Sequence, residues 1–421
     1  MSTKEIIAQK IVPGGDCIGN IGGKTVFIPF AIPGEKLEIE ITDSKRDYDT
    51  GKILKIIEPS PYRVTPVCPL YQQCGGCNMM HITPNFQKEL RKEMLKICFE
   101  RENISLPEIE VISGDDTGYR YRFQLHDGGL LKKQSNEAVR VDFCPVATSE
   151  INEYLKNTVQ NERPGGRIHV FGGKNVIPEL NTGAGFFRDK RFPKVILAEQ
   201  ENKKEQVETV IRSGKRKVKR AVNHYFAGTV LNPANIVTVQ IAGKNISFDV
   251  QGFFQSNISV LEKAAQLVCK DLSGKNVLDM YSGAGTFSVF LADHFEKVTM
   301  VEHNRDAMVF AEMNMRGTNH VSYGVSGAKW VAQNAPSIIK NEGNFDAVVI
   351  DPPRSGMEKQ VCQWLCKEKP KYIRSVSCDA ATHARDAAFL IKAGYTLKSL
   401  YLLDFYPQTA HIESLACFEW I

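Results

Sequence analysis

The chain has 421 residues, of which 43% are hydrophobic and 24% charged, and its formal net charge at pH 7 is +5. This composition is typical of a globular protein with room for two or three domains, and it excludes a disordered or fibrous chain. The mild positive charge permits a nucleic-acid partner without establishing one. No apolar run approaches the roughly twenty residues that a membrane-spanning helix needs.

The first ten residues, MSTKEIIAQK, lack the basic and apolar stretches of a secretory signal. We therefore expect a cytoplasmic protein with no membrane partner. The chain contains eleven cysteines. In a reducing compartment, cysteines are expected to be metal ligands, a catalytic thiolate or buried thiols rather than a disulfide framework.

Residues 1–60 alternate short β-rich runs, such as GKTVFIPF and GEKLEIEI, with glycine and proline turns. Strands this short and this closely spaced predict a small β-barrel. The segment SPYRVTP follows and is typical of a linker. We therefore assign the first domain to residues 1–60.

The next segment, CPLYQQCGGC, contains Cys68, Cys74 and Cys77 and has almost nothing that could form a helix or strand. A helix is predicted at residues 84–100, where apolar residues recur at helical spacing. Beyond it, strand-like and loop-like stretches mix without a clean repeat. We assign residues 61–250 to a mixed central domain.

From residue 251 onward, apolar β runs alternate with polar turns and helical stretches. This rhythm predicts an α/β fold with a doubly wound parallel sheet. Ligands of such sheets bind beyond the carboxyl ends of the strands, so the turns are where chemistry is expected. We assign residues 251–421 to this third domain.

The first turn of the third domain, DMYSGAGTF, has two glycines, Gly283 and Gly285, directly after a buried strand. Glycine there lets the backbone approach a ligand closely. Glu302 ends the next strand, where an acid can accept hydrogen bonds from both ribose hydroxyls. Together these features predict a nucleoside-containing cofactor. Because the diphosphate-binding pattern G-x-G-x-x-G is missing, S-adenosylmethionine is favoured over a nicotinamide dinucleotide.

Another turn, IDPPRSG, follows a predicted strand that ends at Asp351, and its two prolines make the backbone rigid there. Methyltransferases that act on exocyclic amines use a similar motif followed by an aromatic residue that stacks on the base. Arg354 stands at that position here. Amine methylation is therefore disfavoured.

The fourth turn, SVSCDAATHARD, has Cys378 at the end of a strand. A thiol at that position can be catalytic, although cysteine is often simply buried. Near the end of the chain, His411 and Glu413 precede an apolar run that is predicted to be the last strand. A thiol and a carboxylate could therefore converge on one pocket.

These motifs resemble those of the RNA 5-methyluridine methyltransferases, in the branch with a TRAM domain and an iron–sulfur cluster that includes the 23S ribosomal RNA uracil-C5 enzymes. The resemblance covers nearly the whole chain. It is carried by IPGEKLEIEI, CPLYQQCGGC, DFCP, FFQSN, DMYSGAGTF, DPPRSG, SVSCDAATHARD and HIES. It implies a C-terminal Rossmann-like class I methyltransferase domain, an N-terminal OB-like TRAM barrel that binds RNA, and a mixed central domain with an iron–sulfur site.

In that family the cluster is held by C-x5-C-x2-C and one distant cysteine before a proline. The matching residues here are Cys68, Cys74, Cys77 and, in DFCP, Cys144. The resemblance therefore implies a [4Fe–4S] cluster with four thiolate ligands. Structural zinc takes the same number of ligands, but two C-x2-C pairs are more usual for it.

The resemblance also implies a mechanism. Uracil C5 is too weak a nucleophile to attack a methyl sulfonium, so the Cys378 thiolate first adds to C6, and Glu413 later removes the C5 proton. The target base must be single-stranded or flipped out of a stack. The cofactor-binding residues that the motifs carry over are Gln255, Tyr281, Gly283, Glu302 and Asp351.

Two positions depart from the family pattern. Asp379 and Ala380 follow the cysteine where Asn-Pro is usual, and Ser256 follows FFQ where a larger residue is common. We expect the Asp379 carboxylate to raise the pKa of the neighbouring thiol.

The expected RNA partner is 23S rRNA, and we expect the protein to be a monomer. Transfer RNA stays open as a target because some barrel-bearing relatives act on it. A catalytically silent RNA-binding protein is a second alternative, against which the presence of Cys378, Glu413 and Glu302 argues.

Overall fold

The structure is a computed structural model. It describes residues 3–183, 186–187, 190–199, 206–213, 216–223 and 235–420. Strand pairing divides them into an N-terminal sheet, several small central sheets and a large C-terminal sheet.

The N-terminal sheet lies within residues 1–60. Its strands are β1 (Thr3–Ile7), β2 (Lys10–Ile11), β3 (Cys17–Ile21), β4 (Lys24–Ile28), β5 (Lys36–Ser44) and β6 (Tyr48–Glu58). They pair in the order β1-β5-β6-β4-β3-β2. All pairs are antiparallel except β4 with β6.

This sheet curves back on itself where β1 meets β3. A Cβ at Gly19 would lie 2.7 Å from the carbonyl oxygen of Ile7, so only glycine allows the two backbones to approach this closely. Val26 and Ile39 are fully buried inside the curve. The N-terminal domain therefore has the strand-rich, barrel-like form that the sequence predicts.

The central part of the chain contains two helices and several short sheets. Its elements are α1 (Pro84–Arg101), β7 (Ile109–Ile112), β8 (Arg122–His126), β9 (Leu130–Leu131), β10 (Ala138–Val139), α2 (Ser149–Asn157), β11 (Arg167–Gly172), β12 (Thr182–Gly183), β13 (Phe186–Phe187), β14 (Val195–Glu199), β15 (Gln206–Ser213), β16 (Arg216–Asn223), β17 (Asn235–Ile241) and β18 (Lys244–Asp249). The sheets are β13-β14-β11-β8, β12-β17-β18 and the hairpins β9–β10 and β15–β16. Parts of the predicted central domain, between residues 184 and 234, lie outside the described residues.

The C-terminal part alternates strands and helices. Its elements are α3 (Ile258–Cys269), β19 (Gly274–Met280), α4 (Thr286–Leu291), β20 (Phe295–Val301), α5 (Arg305–Asn314), β21 (His320–Tyr323), α6 (Gly327–Gln333), α7 (Ala335–Glu342), β22 (Ala347–Ile350), α8 (Lys359–Glu368), β23 (Tyr372–Ser377), α9 (Ala380–Lys392), β24 (Thr396–Leu403) and β25 (Glu413–Glu419).

These strands form one sheet in the order β21-β20-β19-β22-β23-β25-β24-β7. Strand β25 is antiparallel to both of its neighbours, and every other pair is parallel. The predicted α/β fold with a parallel sheet is confirmed. The strand order reverses at β19, between β20 and β22, which is where such sheets bind ligands.

Helix α1 and strand β7 lie within the predicted central domain in sequence but pack with the C-terminal sheet. Strand β7 is the edge strand beside β24, and α1 packs against α9. Pro84 fits the first turn of α1 because its missing N–H has no helical partner there. Arg91 of α1 forms a buried ion pair with Asp404, at 2.5 Å between Nη1 and Oδ1. Helix α1 is therefore joined to the C-terminal part of the chain.

Buried apolar side chains form a core on each face of this sheet. One core is continuous from the N-terminal barrel through α1 to α8 and α9. The other lies beneath α3, α4 and α5 and includes β17 and β18. A third core surrounds the cysteine segment.

Candidate functional site

A cavity of about 1140 Å³ opens at the carboxyl ends of β19, β20, β22 and β23. It is lined by each residue that the sequence analysis selected as catalytic or cofactor-binding: Gln255, Tyr281, Gly283, Glu302, Asp351, Cys378 and Glu413. Residues from widely separated motifs therefore meet at one place.

The turn after β19 has a left-handed backbone. Tyr281, Gly283 and Gly285 have φ of 65°, 56° and 75°. A Cβ at Gly283 would meet nothing within 4 Å, whereas one at Gly285 would lie 3.2 Å from Ala311. Gly285 is therefore needed for close packing of the turn on α5. Gly283 leaves open space at the cavity wall.

Glu302 lies against this turn. Its Oε2 accepts the backbone N–H of Gly283 at 2.9 Å, and its Oε1 accepts that of Asn304 at 2.5 Å. The glycine turn and the acid that the sequence analysis paired are thus in direct contact.

Buried carboxyl groups line and underlie the same end of the sheet. Burial raises the pKa of Asp279 to about 7, and the charges of Asp351 and Glu302 add to this. Burial, together with Glu302, also raises the pKa of Asp351 to about 7. The Oδ2 of Asp279 accepts the hydroxyl of Ser288, while its buried Oδ1 has no protein partner among the described residues. This clustering of carboxyl groups favours a cationic ligand.

Strand register brings Cys378 and Glu413 to facing positions. Ser377 pairs with Ser414 across β23 and β25, so the adjoining Cys378 and Glu413 lie at the end of the ladder. The Cys378 side chain is exposed. Partial burial of the sulfur raises the pKa of this thiol, the charges of Glu413 and Asp351 raise it further, and Arg354 opposes them.

Glu413 is buried, and Gln255, which itself contacts Tyr406, holds it in place. Its Oε1 accepts the amide of Gln255 at 3.0 Å, and the Gln255 Oε1 accepts the hydroxyl of Tyr406 at 3.3 Å. Burial raises the pKa of Glu413 to about 8, with a smaller contribution from Asp351, while the Gln255 hydrogen bond lowers it. A carboxyl group with such a pKa can hold or release a proton near neutral pH.

His411 is exposed, and its ring centroid lies 5.7 Å from that of Tyr406. Burial of the ring nitrogens and the charges of Arg354 and Arg120 lower its pKa. The imidazole is therefore neutral near neutral pH.

The expected effect of Asp379 on the thiol is at most secondary. Its carboxylate caps α9 by accepting the backbone N–H of Thr382 at 2.9 Å. The main causes of the raised pKa of Cys378 are burial, Glu413 and Asp351. Because asparagine and aspartate cap helices equally well, Asp379 can replace the usual asparagine without changing the helix start.

The sequence analysis did not select two residues that lie close to the selected ones in the structure. Tyr406 reaches Gln255 from the loop before β25, and only its closeness to HIES in the sequence could have indicated it. Arg354 was noted as a replacement for an aromatic residue. In the structure it lies close enough to Cys378 to lower the pKa of the thiol.

A second cavity, of about 790 Å³, lies at the cysteine segment. The side chains in its wall include those of Cys68, Cys74, Cys77 and Cys144. Burial raises the pKa of the Cys77 thiol to about 12, and the other three cysteines contribute because they lie close by. The four predicted ligands are therefore neighbours in space.

No group of three or more His, Cys, Asp or Glu side chains in the described part of the chain stands in the geometry of a metal site. The iron–sulfur cluster therefore stays a prediction. No helix among the described residues is both long and apolar enough to cross a membrane.

Comparison with known families gives two matches. Residues 190–419 match the family described as tRNA (Uracil-5-)-methyltransferase. Residues 2–54 match the TRAM domain, which coincides with the N-terminal sheet.

Curated relatives are similar over nearly the whole chain. An uncharacterized RNA methyltransferase of Treponema denticola is 34% identical, with 99% of each chain covered. The 23S rRNA (uracil(1939)-C(5))-methyltransferase RlmD of Yersinia enterocolitica is 29% identical, with 99% of this chain and 95% of the relative covered. The enzyme of the same name from Legionella pneumophila is 30% identical, with 96% and 94% covered.

A solved structure shares the fold. The crystal structure of Pyrococcus abyssi tRNA (uracil-54, C5)-methyltransferase, in complex with S-adenosyl-L-homocysteine, aligns with a TM-score of 0.69 and 22% identity. The alignment covers 99% of this chain and 100% of that one. Together with the family matches, this shows that the chain is a TRAM-containing member of the tRNA (uracil-5-)-methyltransferase family and an RNA uracil-C5 methyltransferase.

Proposed function

We propose that this enzyme methylates C5 of a uridine in 23S ribosomal RNA with S-adenosylmethionine as the methyl donor. The named relatives that support this target are 23S rRNA enzymes of similar length and 29–30% identity. Transfer RNA is the second candidate because the family description names it.

In this proposal each domain has its own role. Residues 1–60 hold RNA, residues 61–250 carry the cysteine site, and residues 251–421 carry out catalysis. RNA is the partner, and the protein acts as a monomer.

The cavity at the carboxyl ends of the strands suits the methyl donor. Glu302 offers a carboxylate to ribose hydroxyls, and the open space at Gly283 leaves room for a ligand against the backbone. The carboxyl group of Asp351 favours a positive charge. When bound, S-adenosylmethionine supplies an electrophilic methyl group on a sulfonium. Gln255 and Tyr281 line the same space.

Cys378 makes the target carbon reactive. Its thiolate forms an S–C6 bond, and the C5=C6 π electrons move onto C5 and O4 as an enolate. C5 then takes the methyl group and carries both the methyl group and its original hydrogen. Arg354, which lowers the pKa of the thiol, favours the thiolate that this step needs.

Glu413 completes the reaction. Its carboxylate removes the C5 proton, the C5=C6 double bond re-forms, and the S–C6 bond breaks to release Cys378 as a thiolate. Gln255 and Tyr406 orient Glu413 for this step. The observation that carries the proposal is that Cys378 and Glu413, 35 residues apart in sequence, line one cavity at the end of a shared strand ladder.

We infer that the four neighbouring cysteines hold a [4Fe–4S] cluster. Their side chains share one cavity, and the backbone N–H of Gly76 donates to the sulfur of Cys74 at 3.4 Å. Arg120 lines the same cavity and places a positive charge beside the thiols. When bound, the cluster would accept bonds from the four cysteine thiolates and so hold together a segment with little regular structure.

The target RNA is tested by mass spectrometry of 23S rRNA and tRNA from a strain that lacks the gene. The proposal predicts loss of one or more 5-methyluridines from 23S rRNA and their return on complementation. The Cys378→Ala gene is the matched control and should not restore them. Loss from tRNA alone would contradict the proposed target.

A further inference from the structure

The segment between β24 and β25, residues 404–412, ends directly at Glu413, and we call it the catalytic loop. It contains Tyr406, whose hydroxyl contacts Gln255. Gln408 has a left-handed backbone, with φ of 69°, which a non-glycine residue adopts only when its surroundings impose it. The contacts that impose this shape come from distant parts of the chain.

Asn78, which follows the cysteine motif, makes two hydrogen bonds to the catalytic loop. Its side-chain Oδ1 accepts the backbone N–H of Ala410 at 3.0 Å, and its backbone N–H donates to the carbonyl of Gln408 at 3.1 Å. Its Nδ2 donates to the carbonyl of Gly14, in the first turn of the barrel, at 2.7 Å. A single side chain therefore joins the barrel to the catalytic loop.

The barrel also touches this junction directly. A Cβ at Gly15 would lie 2.5 Å from Nδ2 of Asn78 and 2.9 Å from Cβ of Ala410. The barrel turn is packed so closely here that only glycine fits. The barrel, the cysteine segment and the catalytic loop are therefore in close contact at Ala410, which is three residues before Glu413.

We propose that Asn78 is a positioning residue: together with the barrel turn at Gly15, it fixes the catalytic loop so that Glu413 can reach the C5 proton. This inference rests on the proposed role of Glu413 as the base. According to this inference, the barrel contributes to removal of the C5 proton as well as to RNA binding. Disturbing the junction should slow proton removal more than thiolate addition, because Cys378 lies on a different element.

The first test compares Asn78→Ala with Asn78→Asp in the full-length enzyme. Unmodified 23S rRNA or tRNA and methyl-labelled S-adenosylmethionine are supplied, and the labelled enzyme–RNA adduct is quantified on a denaturing gel. Asn78→Ala should accumulate adduct and turn over roughly ten- to a hundredfold more slowly, with KM for RNA unchanged. Asn78→Asp keeps the acceptor for Ala410 but loses the donor to the Gly14 carbonyl, so it should restore only part of the turnover. Full turnover without adduct in Asn78→Ala would overturn the proposal.

Two glycines of the barrel give a second test that leaves Asn78 intact. Both glycines have a left-handed backbone, with φ of +92° at Gly15 and +87° at Gly23, so an alanine imposes similar backbone strain at either one. The Cβ of Gly15→Ala would clash with Asn78 and Ala410, whereas that of Gly23→Ala would meet nothing within 4 Å. Gly15→Ala should accumulate adduct and Gly23→Ala should not. Equal behaviour of the two would overturn the inference, even if Asn78→Ala fails to fold. Glu413→Gln on the same gel tests the role of Glu413 separately from the role of Asn78. If Glu413→Gln forms no adduct, Glu413 is not the base, whatever the Asn78 and Gly15 variants show.

Discussion

Gln255 donates its side-chain amide to Glu413 at 3.0 Å, and the hydroxyl of Tyr406 donates to the other end of that amide at 3.3 Å. Sequence resemblance assigned Gln255 to cofactor binding. In the structure the side-chain amide of Gln255 is in direct contact with Glu413. The position of this carboxyl group, and part of its pKa, therefore depend on Gln255.

Replacing Gln255 should slow the reaction and change its pH dependence. Because the Gln255 hydrogen bond lowers the pKa of Glu413, Gln255→Ala should raise that pKa above about 8. The base is active when deprotonated, so the rising limb of the pH–turnover curve should move to higher pH. A lost hydrogen bond to a charged group predicts roughly a tenfold or greater loss of turnover. Tyr406→Phe, which leaves the Gln255–Glu413 bond intact, should have the smaller effect, and the reverse order would contradict this.

Removing Arg354 should make Cys378 less reactive. Its guanidinium lowers the pKa of the thiol, so Arg354→Met should raise that pKa and reduce the thiolate fraction at every pH below it. Alkylation of the Cys378 peptide by iodoacetamide, followed by mass spectrometry against pH, should shift to higher pH. Arg46→Met is the control, since Arg46 is a surface residue of the barrel with 96% of its side chain exposed. An unshifted curve for Arg354→Met would exclude the role given to this residue.

Asp379 should matter for helix stability more than for thiol chemistry. Asp379→Asn keeps a helix-capping side chain, so its melting temperature and its alkylation curve for Cys378 should match those of the wild type. Asp379→Ala loses the cap on α9 and should reduce the free energy of unfolding by about 1 kcal/mol. If Asp379→Asn instead moved the alkylation curve clearly to lower pH, the carboxylate would be acting on the thiol after all.

Loss of one predicted cluster ligand should remove the cluster. Anaerobically purified wild-type protein should be brown and contain iron and acid-labile sulfide in equal amounts. Cys144→Ser should be colourless and less soluble, because three thiolates do not complete the site. Cys366→Ser is the control, since Cys366 lies on α8, outside the thiol cavity. Colourless wild-type protein with stoichiometric zinc would show that the site is a zinc site instead.

The sequence predicted the residues at the ends of the parallel strands well, for a physical reason. Strand, turn and helix alternate along the chain, and parallel strands bring their carboxyl ends to one edge, so Glu302, Asp351 and Cys378 had to lie near each other. Glu413 was harder to derive because it begins an antiparallel strand. The sequence indicated only that it could converge on a pocket with Cys378, and its role as the base required the family resemblance.

Contacts between distant segments could not be predicted in this way. Ala410 and Asn78 are 332 positions apart, and Tyr406 and Gln255 are 151 apart. No periodicity in the sequence encodes such pairs, because packing of whole elements brings them together. Strand β7 shows the same limit. Its four residues, IEVI, fit many positions, and their pattern does not encode the pairing with β24 that makes β7 an edge strand of the C-terminal sheet.

The central claim is that Cys378 adds to C6 and Glu413 removes the C5 proton afterwards, and one gel tests it most directly. Glu413→Gln should bind RNA, form the S–C6 bond, take up one methyl group and then stop. The expected product is an enzyme–RNA adduct that survives denaturing electrophoresis and carries label from the methyl donor. Cys378→Ala and the Cys378→Ala, Glu413→Gln double variant should show neither adduct nor methylation. Turnover of Glu413→Gln at nearly the wild-type rate, with no adduct, would contradict the account and move the search for the base to His411 or a water molecule.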